Sequence, residues 1–144
     1  MADNMNLRRA KSILENISRE YDIDLKFEVE DDHVYASNHV TARPYDDDIF
    51  LSISVYKSGF VTFSFYFDYL EKSGHVLDLV NNFNQNVFCL KASITDKGCL
   101  RVTHEANIIT DDVLEVYTHI VLGDILDDRT VEYLRPLTDL TTGE

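Results

Sequence analysis

Two stretches of strict alternation constrain this chain more than any other feature. Leu51, Ile53 and Val55 alternate with small polar residues, the pattern breaks at Lys57-Ser58-Gly59, and it resumes through Val61, Phe63, Phe65 and Phe67. A period of two marks a half-buried strand, and two such runs around one break mark a hairpin. Register follows from matching faces. A two-residue loop at Ser58-Gly59 would set Val55 against Thr62, apolar opposite polar. A three-residue loop at 57–59 sets Val55 against Val61, Ile53 against Phe63 and Leu51 against Phe65. Because a slip of one residue exchanges the faces, only the second fits. Gly59 then supplies the left-handed residue such loops use. The same reasoning at 89–106 gives a three-residue loop at Asp96-Lys97-Gly98, with Ile94 against Leu100 and Ala92 against Val102.

Helices fill the space around these hairpins. Leu7, Ala10, Leu14, Ile17 and Tyr21 form one apolar stripe and predict a helix over 4–21, capped by Asp3 or Asn4. Val76, Val80, Phe83 and Val87 predict a second over 74–87, with Ser73 as its cap. A third starts after Thr110, where Asp111 and Asp112 suit its positive end. A short helical turn is expected over 129–135, and a loose tail from Thr138. Leu25, Phe27 and Val29 alternate as a further strand, Val34 to Ser37 reads as its return, and 38–48 gives no clear pattern. Hairpins imply antiparallel pairing, so the expected fold is α+β. It is a single domain over 1–144, an antiparallel sheet of about five strands with helices at the N-terminus, middle and C-terminus.

Charge excludes some functions. The chain carries 26 acidic against 13 basic residues, a formal net charge of -13. A nucleic-acid binder needs a basic surface to displace counterions from phosphates, and an anionic membrane would repel this one. Neither partner is expected. No apolar run reaches the ~20 residues that span a bilayer, and the first nine residues lack an apolar leader segment, which favours the cytosol.

Catalytic and ligand motifs are missing from the sequence. The five glycines are scattered and form no phosphate-cradling loop. His104-Glu105 begins like a zinc-protease motif, but Ile108 stands where the second histidine belongs. Asp46-Asp47-Asp48 lacks the alternation and central glycine of a calcium loop. His119 lies one turn from Glu115 and reads as a surface pair; His104 reads as a hydrogen-bonded histidine at the edge of the core. The hairpin register places Cys89 opposite Glu105 and Cys99 opposite Thr95, too far apart for a disulfide, so both are expected as free thiols. We therefore expect no catalytic residue, no metal and no cofactor.

The second face of the first hairpin carries Phe50, Tyr56, Phe60 and Tyr66 around Ser52, Ser54, Thr62 and Ser64. The register sets Phe50 opposite Tyr66 and Tyr56 opposite Phe60. Aromatics on a nominally wet face fit a self-association or peptide-docking surface. They fit equally a sheet braced by aromatic cross-strand pairs, or a face covered by a helix.

The segments Val76-Leu77-Asp78-Leu79-Val80-Asn81-Asn82-Phe83-Asn84, Cys89-Leu90-Lys91-Ala92-Ser93-Ile94 and Asp96-Lys97-Gly98-Cys99-Leu100-Arg101-Val102 resemble the bacterial YbjN-like family of sensory transduction regulators. That family shares its fold with type III secretion chaperones. The likeness covers about residues 50–126. It implies a small acidic dimer without enzymatic activity and transfers no catalytic residue. Two function classes follow. One is a homodimeric, chaperone-like or regulatory module that binds another polypeptide, basic or extended. The other is an acidic inhibitor or immunity-type protein that masks a basic surface.

Overall fold

The structure is a computed structural model that describes residues 5–41, 45, 48–71, 74–108 and 110–141. In chain order the elements are α1 (Leu7–Glu20), β1 (Lys26–Val29), β2 (His33–Thr41), β3 (Asp48–Tyr56), β4 (Phe60–Tyr69), α2 (Gly74–Asn86), β5 (Lys91–Ile94), β6 (Cys99–Asn107), α3 (Asp111–Asp124) and α4 (Asp128–Thr138). The strands form one antiparallel sheet in the order β1-β2-β3-β4-β6-β5. This is the expected α+β class, with six strands rather than about five.

Both hairpins take the register that face matching demands. Val55 pairs with Val61 and Ile53 with Phe63; Ile94 pairs with Leu100 and Ala92 with Val102. Gly59 and Gly98 hold φ of 96° and 91°. At Gly59 the backbone is also crowded: an added Cβ would lie 2.2 Å from the Ile108 carbonyl oxygen, whereas Gly98 faces open space.

The inward residues of every strand build one core with the helices. Phe63, Ile53, Leu51 and Leu100 from the sheet meet Leu14 and Ile17 of α1, Phe83 of α2, Leu114 of α3 and Leu134 of α4, all fully buried. Burying each such side chain contributes about 1.5–3 kcal/mol. The helices pair as α1 with α3 and α2 with α4. Arg9 of α1 clips to Asp111 at 3.5 Å and to Asp112.

Several expectations need correction. Asn6 caps α1, its side chain accepting from the Arg9 amide at 3.1 Å; Asp3, Asn4 and Ser73 lie outside the described residues. Strand β2 runs on to Thr41, well past Ser37. Polar Asn38 and His39 hid that extension, although Val40 keeps the alternation. The short turn at 129–135 is a full helix, α4, that continues through Pro136. Burial of Leu134 and Leu137 on either side of the proline outweighs one missing bond in a last turn. The tail is fixed further than expected, since the Glu71 amide donates to the Leu140 carbonyl and Thr141 bridges Leu70. His119 does not pair with Glu115. Its ring reaches across to α1, with Nε2 3.6 Å from Glu20 and Nδ1 3.5 Å from the Tyr21 hydroxyl.

Candidate functional site: the open sheet face

All the buried positions of the sheet fall on one side, and Phe50, Tyr56, Phe60 and Tyr66 are on the other, outside the core cluster. The described helices leave that face open, which answers the alternative of a covering helix. Phe50 and Tyr66 pair with centroids 6.2 Å apart, Tyr56 and Phe60 at 6.1 Å. Histidines extend both pairs. His39 meets Phe50 edge-on at 5.1 Å, and His33 stacks on Tyr56 at 5.1 Å.

The four aromatics form two islands rather than one cluster. Phe50 and Tyr56 are six residues apart on β3, hence about 20 Å at 3.4 Å per residue. Between the islands the registers line up a floor of small polar side chains. One row crosses all six strands as Lys26, Ser37, Ser52, Ser64, Thr103 and Lys91. The next runs Glu28, Tyr35, Ser54, Thr62 and Glu105. Among the described side chains on the open side of the strands, Lys26, Lys91 and Arg101 stand against Glu28, Asp68 and Glu105. This face is thus near neutral on a chain of net charge -13. It is hydroxylated in the middle and aromatic at both ends.

A second constellation was not legible in the sequence. Cys89 does not stand opposite Glu105, because β5 starts only at Lys91. Its sulfur lies 3.7 Å from His104 Nδ1, and its carbonyl oxygen lies 2.7 Å from the same nitrogen. A carbonyl only accepts, so Nδ1 carries the proton and donates to it. Burial first, then the neighbouring Asp124 carboxylate, push the Cys89 thiol up to about 12. A thiol so held stays neutral at physiological pH, and the imidazole nitrogen beside it is already committed as a donor. The pair is therefore not a nucleophile with its base. His104 itself sits as expected at the core edge, its ring 6.1 Å from both Phe63 and Tyr117.

Both cysteines are free thiols, as expected. Among the described residues no group of three or more His, Cys, Asp or Glu side chains could hold a metal ion, and Asp46 and Asp47 lie outside them. Among the described residues, too, no helix is long and apolar enough to cross a membrane. No protein-family model matches the chain, and no curated protein matches it either.

Proposed function

We propose that this chain is a non-enzymatic protein-binding module that acts as a homodimer, in a chaperone-like or regulatory role in the cytosol, and that the open sheet face receives another polypeptide. The observation that carries this reading is the uncovered pairing of Phe50 with Tyr66 and Tyr56 with Phe60 on either side of a hydroxyl floor. Aromatic ends give a partner apolar area, and the serine and threonine rows give it hydrogen bonds without the desolvation cost of charge. The resemblance to YbjN-like regulators and type III secretion chaperones points the same way. The acidic inhibitor remains the second reading, favoured by the net charge of -13 in combination with a near-neutral open face, which leaves most carboxylates elsewhere on the surface.

The test uses the chain at micromolar concentration. Sedimentation should find a dimer. A double variant, Phe60→Ser with Tyr66→Ser, should fold, since Val61, Phe63 and Phe65 on the core side are untouched. It should lose the partner that wild type retains from its native cell, identified by mass spectrometry. A folded double variant that retains the same partner refutes the assignment of this face. A monomeric wild type removes the homodimer and promotes the inhibitor reading.

A further inference from the structure

A six-stranded sheet has two edges, and an open edge is a template for another strand. Here the two edges differ. On β5 the Asn84 side chain occupies the outward backbone of Ala92: the Ala92 amide donates to Asn84 Oδ1 at 2.7 Å, and Asn84 Nδ2 donates to the Ala92 carbonyl at 3.0 Å. A side-chain amide thus imitates a neighbouring strand and closes that edge at its centre.

Among the described residues the β1 edge has no such guard. The Glu30 amide donates to the His33 carbonyl at 2.8 Å, which makes 30 and 33 a hydrogen-bonded pair. Bonded and non-bonded pairs alternate in an antiparallel ladder. With Glu28 opposite Tyr35 and Lys26 opposite Ser37, residues 26, 28 and 30 therefore turn their backbone groups towards β2. Phe27 and Val29 turn theirs outward. Val29 is 50% exposed, a large apolar side chain left at the rim. Beside Phe27 a hollow of about 150 Å³, lined by Glu15, Arg19 and Asp24 among others, opens between this edge and α1.

From this geometry we infer that two copies join through β1, antiparallel about a two-fold axis at Glu28, to form one twelve-stranded sheet. The inference rests on the homodimer proposed above and names its interface. Of the two-fold registers, only the one centred on Glu28 pairs both outward residues of each strand within β1. Phe27 faces Val29 of the second copy, twice over, giving four backbone hydrogen bonds and burying the exposed Val29 against an aromatic ring. The same register sets Lys26 opposite Glu30, the residue just after β1, of the second copy, again twice, so these two charges complement each other across the axis. Its one unfavourable contact is Glu28 against its own copy. A two-fold axis perpendicular to the sheet puts both open faces on the same side, so the aromatic and hydroxyl surface becomes continuous across the pair.

The register can be tested chemically. In a background of Cys89→Ser and Cys99→Ser, Glu28→Cys places two thiols across a non-bonded antiparallel pair, whose Cα atoms are about 4.5 Å apart and within disulfide reach. Mild oxidation should cross-link the chains, while exposed Lys57→Cys should not cross-link. Val29→Pro removes only an outward N–H, which an edge strand tolerates, and should leave a folded monomer. Lys26→Glu turns two attractive pairs into two repulsive ones and should weaken association roughly tenfold; adding Glu30→Lys should restore it, which a mere folding defect would not allow. Glu28→Gln should tighten the dimer. If wild type sediments as a dimer, yet Glu28→Cys does not cross-link and Lys26→Glu dimerises as wild type does, this interface is wrong and the homodimer stands. If wild type is monomeric, both fall.

Discussion

Replacing Asn84 with alanine tests how much a single side chain contributes to closing a sheet edge. Its amide makes two hydrogen bonds to Ala92, at 2.7 and 3.0 Å, and Ala92 is only 4% exposed, so water replaces the lost partner poorly. Two bonds at a net 0.5–1.5 kcal/mol each give a loss of about 1–3 kcal/mol. Alanine is the better helix former at the end of α2, which offsets ~0.5 kcal/mol. The net expectation is a destabilisation of about 0.5–2.5 kcal/mol, or roughly 2–10 °C in Tm for a domain of this length. Urea denaturation measures the first figure and a thermal scan the second. Hydrogen exchange locates the effect. The Ala92 amide should exchange much faster in Asn84→Ala, whereas Asn84→Asp, which still accepts from that amide but opposes the Ala92 carbonyl with a lone pair, should keep it protected while losing stability. An alanine variant as stable as wild type, with the Ala92 amide still protected, would refute the clamp.

Three further outcomes follow from described geometry. Gly59→Ala and Gly98→Ala share the cost of a left-handed backbone, about 1–2 kcal/mol, but only the first drives a Cβ to 2.2 Å from the Ile108 carbonyl; urea melts should show Gly59→Ala as far the more damaging, and equal losses would contradict the crowding. Cys89, with its thiol pushed up to about 12 from 9.0, should react with a disulfide reagent at pH 8 about a thousandfold more slowly than an ordinary thiol, as its thiolate fraction falls by that factor, and denaturation should release two titratable thiols per chain. The sign of its pH dependence is fixed too: a raised folded value means stability is intact below pH 9 and declines as pH climbs from 9 towards 12, a decline that Cys89→Ser should reduce. Tyr45, whose hydroxyl donates to the Ile125 carbonyl at 2.6 Å from a buried site, should lose about 1 kcal/mol as Tyr45→Phe by thermal unfolding; no loss would mean that bond contributes nothing.

What the sequence revealed and what it hid divide along a physical line. Period-two alternation is local and sterically strict, so Ile53 with Phe63 and Ala92 with Val102 could be paired before any fold was known. Apolar stripes likewise placed α1, α2 and α3. Side chains that serve distant backbone left no periodic trace. Asn84 reads as one more polar residue on a helix, and nothing near Cys89 in the chain announces His104, fifteen residues away. Pro136 misled because its penalty is local while the burial of Leu134 and Leu137 is tertiary. The aromatics Phe50, Tyr56, Phe60 and Tyr66 were visible as an anomaly of patterning; that they form two separate ends of a hydroxyl floor depended on β2 and β6, whose order in the sheet no sequence rule fixes.

The clip between Arg9 and Asp112 spans 103 residues, and it sets a schedule for biosynthesis. When α1 leaves the ribosome it carries Leu7, Ala10, Leu14 and Ile17 on one face, but its helical partner α3 is about a hundred residues from being made. At 5–20 residues per second the nascent helix waits roughly 5–20 s with the early strands, β2 and β3 foremost, to lean on. The chain's first element is thus among the last to find its final place, and a slow codon run before Asp111 would prolong that exposure more than one placed anywhere after it.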